Sequence, residues 1–347
     1  MTQTSPHLQS SLSTAQLMRL VIFACIPATV AMTMLYGVGT LINLALAAAG
    51  AVVAEAVILA LRGRKVRSAL LDSSALLTAV LLALAIPPYA AWWLPFVGAI
   101  IAIVFAKQLF GGLGMNPFNP AMVAYVVLLI SFPLAMSSWP EAQQLSAPIP
   151  NEVAVAAIFG GESIDGYTAA TPLDIVRNLQ GQTYTEAVAA NQELAKGKVA
   201  GYASEIINVA FLIGGLYLLK RRLFSWHAPV AMLLALGIMS LLFWTGDGSD
   251  SRGSPLFHWF SGATMMGAFF IITDPVSGAT SNRGRLIFGA LVGVMIYLIR
   301  AFGNYPDGVA FAVLIANLAA PFIDYYTVPR SYGRENAISV IAKDSDQ

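Results

Sequence analysis

The sequence predicts an all-α polytopic membrane protein, and three observations point there. Hydrophobic residues make up 57% of the 347 positions and charged residues only 11%, against roughly 25% charged in soluble domains. Apolar runs long enough to cross a bilayer follow one another with short polar breaks. Most basic residues cluster between those runs. A soluble chain of this length needs charge over most of its surface; here the helices are expected to face lipid.

The first run, 18–36, follows a polar amino terminus without the basic segment of a cleaved signal peptide, so it is expected to be a retained helix. Runs at 39–61, 70–87, 90–108 and 119–137 complete a first group of five. Runs at 204–219, 228–245, 258–274, 286–301 and 308–325 form a second. About ten transmembrane helices are therefore expected. The one long polar stretch, 138–203, shows little hydrophobic periodicity and is too short for a substantial core of its own. Loops of that length are uncommon unless functional. The expected organisation is a first membrane half (1–137), an extracytoplasmic loop (138–203), a second membrane half (204–327) and a cytoplasmic tail (328–347).

Orientation follows from Lys and Arg. With the amino terminus inside, fourteen of the nineteen basic residues fall on the cytoplasmic side, Lys107 among them, and five fall outside, Arg300 among them. That bias places both termini in the cytoplasm. Gly114–Ala121 and Gly303–Ala310 enter the fifth and tenth runs with Gly, Pro and Ala at matched offsets. Two halves of five spans run in opposite directions, as in the inverted repeats of many transport folds. The plainer alternative is that Gly and Pro simply mark two helix starts.

Composition excludes several functions. A net charge of +1 points to no acidic partner, and the cluster Arg62–Arg67 between two apolar runs reads as a cytoplasmic turn rather than a nucleic-acid surface. One cysteine, Cys25, and three scattered histidines, His7, His227 and His258, cannot build an iron–sulfur cluster or a structural zinc site within one chain. Acids within spans are functional candidates by default: Glu55, nearest a span's middle, then Asp72, Asp274 and Asp324, the last favouring an interfacial role. Three stretches share Ser/Thr-x-Ala-Thr, at Thr168–Thr171, Ser261–Thr264 and Ser277–Thr280. By composition alone each is a run of small residues that permits close approach.

Longer motifs are more specific. Ser261–Arg285 (SGATMMGAFFIITDPVSGATSNRGR) runs on into Leu286–Gly289, and is joined by Gly111–Met122 (GGLGMNPFNPAM), Tyr305–Phe311 (YPDGVAF), Ile323–Tyr326 (IDYY) and Ser5-Pro6-His7. Together they resemble, in order and across nearly the whole chain, the RnfD/NqrB family of membrane proteins. The likeness is strongest to the RnfD members, which belong to bacterial Rnf electron-transport complexes. The NqrB members, from the sodium-pumping NADH:quinone reductase, are a more distant likeness.

The resemblance implies a component of a redox-driven ion pump in the bacterial inner membrane, one that exchanges electrons between ferredoxin and NAD and moves sodium or protons. It implies FMN joined through its phosphate to a threonine hydroxyl within Asp-x-x-Ser/Thr-Gly-Ala-Thr, attached outside the cytoplasm by a separate flavin transferase. Asp165-Gly166-Tyr167-Thr168-Ala169-Ala170-Thr171-Pro172-Leu173 matches, except that Ala169 replaces the usual glycine. Asp165, Thr168 and Ala170 are then the motif residues around an attachment at Thr171. Asp274–Thr280 fits the short pattern without substitution, so Thr280 is the competing site; the charge count places it inside and selects Thr171. The resemblance also implies a noncovalent riboflavin, which the residues do not place. The implied partners are other membrane subunits, an outer FMN-bearing subunit, and cytoplasmic subunits with iron–sulfur and nucleotide sites. No G-x-G-x-x-G fingerprint occurs, so NAD is expected to bind elsewhere. The rival is a secondary transporter or channel component with no redox cofactor, which broken helices would suit equally.

Overall fold

In the computed structural model of the chain, residues 12–146, 148–162, 164–179, 181–246, 251–303, 305 and 307–327 are described. The expected tail at 328–347 and Ser5-Pro6-His7 lie outside the described residues. The described residues form helices joined by turns and loops, with one isolated bridge and no named strand among them.

The first expected span is two helices in line, α1 (Thr14–Ala24) and α2 (Ile26–Tyr36), parted only at Cys25. Ser13 and Gln16 close a capping box at its start. Pro27 sits in the first turn of α2, where a missing N–H costs little. After α3 (Gly39–Leu61) come α4 (Ser74–Ala85), then α5 (Trp93–Ile101), which continues as a π-helical segment over Ala102–Gln108. Asn119 starts α6 (Pro120–Ser131) by accepting the N–H groups of Ala121 and Met122. The polar loop carries α7 (Pro172–Arg177). The second half holds α8 (Tyr202–Lys220), α9 (His227–Leu242), α10 (Pro255–Phe260) and α11 (Thr264–Met266), which runs into a π segment at Gly267–Ile271. It ends with α12 (Asn282–Phe302) and α13 (Val309–Thr327).

Among the described residues five helices are long and apolar enough to cross a membrane: Thr14–Tyr36, Gly39–Leu61, Tyr202–Lys220, Asn282–Phe302 and Val309–Thr327. The chain is a multi-pass membrane protein. The expected spans at 70–87, 90–108, 119–137 and 228–245 are occupied by shorter apolar helices, whereas 258–274 is broken at Ser261–Ala263 between the end of α10 and α11 with its π segment. α4 and α6 have 12 residues each, about 18 Å of helix against the ~30 Å hydrocarbon core.

Packing follows one pattern in each half. α3 lies along α4 and α5; α12 lies along α9 and α13. Small residues make this closeness possible: a Cβ on Gly289 would stand 2.3 Å from the Ala228 carbonyl oxygen, and one on Gly293 2.3 Å from that of Met232. Between the halves, α2 packs on α8 and α6 on α13. One apolar core, including Met32, Leu82, Leu128, Met232, Phe288 and Ile296, runs through both.

The 138–203 segment is more regular than its composition suggested. Asn151–Val155 and the π segment Ala156–Gly160 form an apolar helix whose Ala154 and Ile158 cover Tyr89, with Ile42 and Leu46 of α3 beside them. Further on, Leu173, Val176, Leu179, Ala187 and Leu194 share a small core with Phe257 of α10. Each large apolar side chain so buried contributes about 1.5–3 kcal/mol. The loop thus docks on both halves, as expected of a segment too short to fold around a core of its own.

Candidate functional site

Two cavities lie between the halves. The first is walled by Tyr36 of α2, Tyr125 of α6, Trp139 and Phe211 of α8, with Gly262 and Asp307 from the second half. Thr171, Pro172 and Leu173 also line it. The second is lined by Met18 of α1, Ser74 and Thr78 of α4, Lys107, Asn116, Asn119, Phe269 and Asp274.

Thr171 is the N-cap of α7, in extended backbone (φ −68°, ψ 155°). Its hydroxyl donates to Asp174 Oδ2 at 2.7 Å and accepts the Asp174 N–H at 3.3 Å. Arg177 Nη2 donates to Asp174 Oδ1 at 2.6 Å, and its Nη1 to the Tyr305 carbonyl at 2.6 Å. The hydroxyl is thereby aimed at a carboxylate that an arginine holds in place. Upstream, Asp165 opens a short 3-10 turn (Asp165–Tyr167). Thr168 forms an antiparallel bridge with Pro140, and the Ala169 N–H donates to the Trp139 carbonyl at 3.0 Å. Ala170 is exposed. The alanine at 169 needs no glycine: among the described residues only Ser73 and Arg222 are non-glycines with positive φ.

Thr280 stands elsewhere. It is exposed, its N–H donates to Asp324 Oδ1 at 2.9 Å, and it lines neither cavity. Asp274 is occupied by the Ser277 hydroxyl at 2.8 Å. Glu193, on Gln192–Lys196 in the loop, faces the first cavity; burial raises its carboxyl above the ordinary range, while N–H donors, Ala203 first, act to lower it.

The sequence reading put Lys107 on the cytoplasmic surface and Arg300 on the outer one. Both are buried, at 3% and 5% exposure. Arg300 reaches Asp307, the carbonyls of His258 and Ser261, and Thr264 Oγ1. Lys107 Nζ donates to Glu55 Oε1 at 2.5 Å and to Ser74 Oγ at 2.7 Å. Removing one residue from each group leaves thirteen basic residues against four, so the orientation bias stands without them. A signal for both was available: each basic residue follows a stretch of apolar residues in which no acid occurs, the setting of an intramembrane charge. Asp174 and Gln108 carried no such signal. Among the described residues no group of three or more His, Cys, Asp and Glu is placed to hold a metal ion.

The NQR2, RnfD, RnfE family profile matches residues 1–333. A protein of Ectopseudomonas mendocina (strain ymp), named as the D subunit of an ion-translocating oxidoreductase complex, is 59% identical over 331 residues, covering 95% of each chain. Its namesake from Pseudomonas aeruginosa (strain UCBPP-PA14) is 57% identical over 334 residues, 96% of each. That of Pectobacterium carotovorum subsp. carotovorum (strain PC1) is 48% identical over 343 residues, 95% of this chain and 97% of the relative. With a family match over almost its full length and relatives this close, the chain belongs to the NQR2, RnfD, RnfE family.

Proposed function

We propose that this chain is the flavin-carrying membrane subunit of an ion-translocating oxidoreductase complex, with FMN tethered by a phosphoester to Thr171. The observation that carries the reading is the position of Thr171: its hydroxyl lines a cavity between the halves whose walls include Tyr36, Tyr125, Trp139 and Phe211. Aromatic and apolar walls suit a planar ring system. A bound flavin would supply the electron chemistry, since the described residues hold no metal cluster of their own. The chain's part is to hold it: Asp174, fixed by Arg177, orients the free Thr171 hydroxyl for attachment, and Tyr167–Ala169 pairs with Trp139–Glu141 at the start of the loop.

The names of the relatives support a place beside the other members of such a complex. By the family resemblance these include an outer flavin protein and cytoplasmic proteins that handle ferredoxin and NAD. A noncovalent riboflavin and maturation by a flavin transferase belong to the same reading. So do ten spans in two inverted halves, with both termini in the cytoplasm of the bacterial inner membrane. The packing of α3 on α5, matched by that of α9 on α12, the pairing of α2 with α8 and of α6 with α13, and the thirteen-to-four basic bias support it.

The test is in-gel flavin fluorescence after denaturing electrophoresis of protein made with a flavin transferase, with mass spectrometry of the modified peptide. Thr171→Ala should be dark, Thr171→Ser should keep part of the signal, and Ala169→Gly should match the parent, because residue 169 is not in a glycine-only conformation. A dark Thr280→Ala beside a fluorescent Thr171→Ala would move the tether to the other motif. A dark parent protein would favour a transport component without a redox cofactor.

A further inference from the structure

Glu55 is 1% exposed on α3, behind Lys107, which with Ser74 lines the second cavity. The π segment Ala102–Gln108 turns two adjacent side chains, Lys107 and Gln108, inward toward it. Glu55 Oε1 accepts from Lys107 Nζ at 2.5 Å and from Gln108 Nε2 at 2.9 Å. Two oxygens are left over: the second carboxylate oxygen, Glu55 Oε2, and the amide oxygen, Gln108 Oε1, are buried with no hydrogen-bond partner. A buried acceptor without a donor is destabilising, and here two lie on side chains already joined by one hydrogen bond.

One proton answers both. Placed on Glu55 Oε2, it makes an O–H that can donate to Gln108 Oε1 and close a carboxylic acid–amide ring with the existing N–H···O bond. We propose that Glu55 and Gln108 form a proton-binding site, filled from the second cavity past Ser74 and Lys107. On loading, an O–H bond forms at Oε2 with a proton from cavity water, and the Glu55–Lys107 pair goes from neutral to a single positive charge. On release the same bond breaks, and no electrons move. Sodium suits the site poorly, because the Lys107 ammonium already stands 2.5 Å from Oε1.

The charged groups around the site are few. Lys107 comes from the π segment. Asp72, in the turn before α4, accepts the Ser74 hydroxyl at 2.5 Å and links the site to a half-buried carboxylate. Arg62, at the end of α3, donates to the Gln108 carbonyl at 2.7 Å, and Arg64 to that of Gly111 at 2.9 Å. Arg19 of α1 holds the Leu71 carbonyl and the Ser73 hydroxyl, and Arg67 is exposed. A part for this site in ion movement rests on the translocating function proposed above; its existence does not.

The experiment is infrared difference spectroscopy of the purified full chain between acidic and alkaline pH, in water and in heavy water. The parent should show a protonated-carboxyl C=O band that grows as pH falls and shifts on deuteration. Glu55→Gln should lose it. Gln108→Leu should keep it at higher frequency, since the acid then lacks its amide acceptor. This second variant carries the test if the first fails to fold. A band unchanged in either folded variant, or one that responds to sodium at fixed pH, overturns the proposal. The whole complex in vesicles separates the two claims. Redox-driven ion uptake in the parent that vanishes with Glu55→Gln supports the coupling role, and full uptake by that variant removes it. Absence of uptake in the parent overturns the translocating function while leaving the infrared result to judge the site.

Discussion

Lys107 and Arg300 occupy matching places in the two halves. Each is buried toward the end of a helix and reaches the first turn of a short one, Ser74 of α4 or Thr264 of α11. Each of those turns follows a residue with positive φ, Ser73 at 64° and Gly262 at 55°. Each first turn also gives an N–H to a carboxylate, Ser74 to Asp72 and Ala263 to Asp307, both at 2.7 Å. The carboxylates paired with the two cations differ. Asp307 uses both oxygens, Oδ1 for Arg300 and the Val309 N–H, Oδ2 for the Ala263 N–H. Glu55 leaves Oε2 empty. The geometry around Gly262 is equally closed: a Cβ there would stand 2.5 Å from Asp307 Oδ2 and 2.9 Å from Arg300 Nη2. The difference teaches that a buried charge in a membrane protein need not be an ion site. The Arg300 pair fixes a turn at the first cavity, whereas the Glu55 pair retains capacity for one more proton.

The largest expected effect tests the closed side of that comparison. Arg300→Met leaves the Asp307 carboxylate without its cation and takes a donor from the His258 and Ser261 carbonyls and Thr264 Oγ1, and should cost about 3–5 kcal/mol, the loss on breaking a buried pair. Unfolding in mixed detergent micelles measures it. Lys107→Met should cost less, about 1–3 kcal/mol, because Glu55 can neutralise itself by taking a proton. Equal losses would break the comparison and make both pairs structural.

The smallest expected effect lies in the loop. Burial raises the Glu193 carboxyl, so the docked loop holds that proton more tightly than a detached loop does. Docking should therefore strengthen as pH falls through the raised value and weaken as pH rises past it. Protease resistance of the 181–203 segment should follow that trend, and Glu193→Gln should flatten it. A segment that becomes more resistant at alkaline pH would reverse the assignment.

Much of this molecule was legible in its residues. The apolar runs located the membrane helices because a chain in lipid must satisfy its backbone within helices and show apolar side chains outward. Gly and Pro marked where helices start. The Thr171 motif proposed as the tether stood out by residue type and order, and the basic bias favoured it over Thr280. The loop was harder: its short helices are stabilised by Tyr89 and Phe257, residues far away in sequence, so local pattern carried little of the signal.

By itself the sequence determined the class of protein and the order of its long apolar helices. Only the tertiary structure decided what the buried charges do. Lys107 looked like a helix-end lysine because position along a run is all a sequence offers. An ordinary helix turns about 100° per residue, as 3.6 residues per turn require, and would send Lys107 and Gln108 to different faces. The i→i+5 bonding of a π segment widens the turn, and both side chains are buried against Glu55. That local choice depends on how α3, α4 and α5 fit together, and no stretch of neighbouring residues contains it.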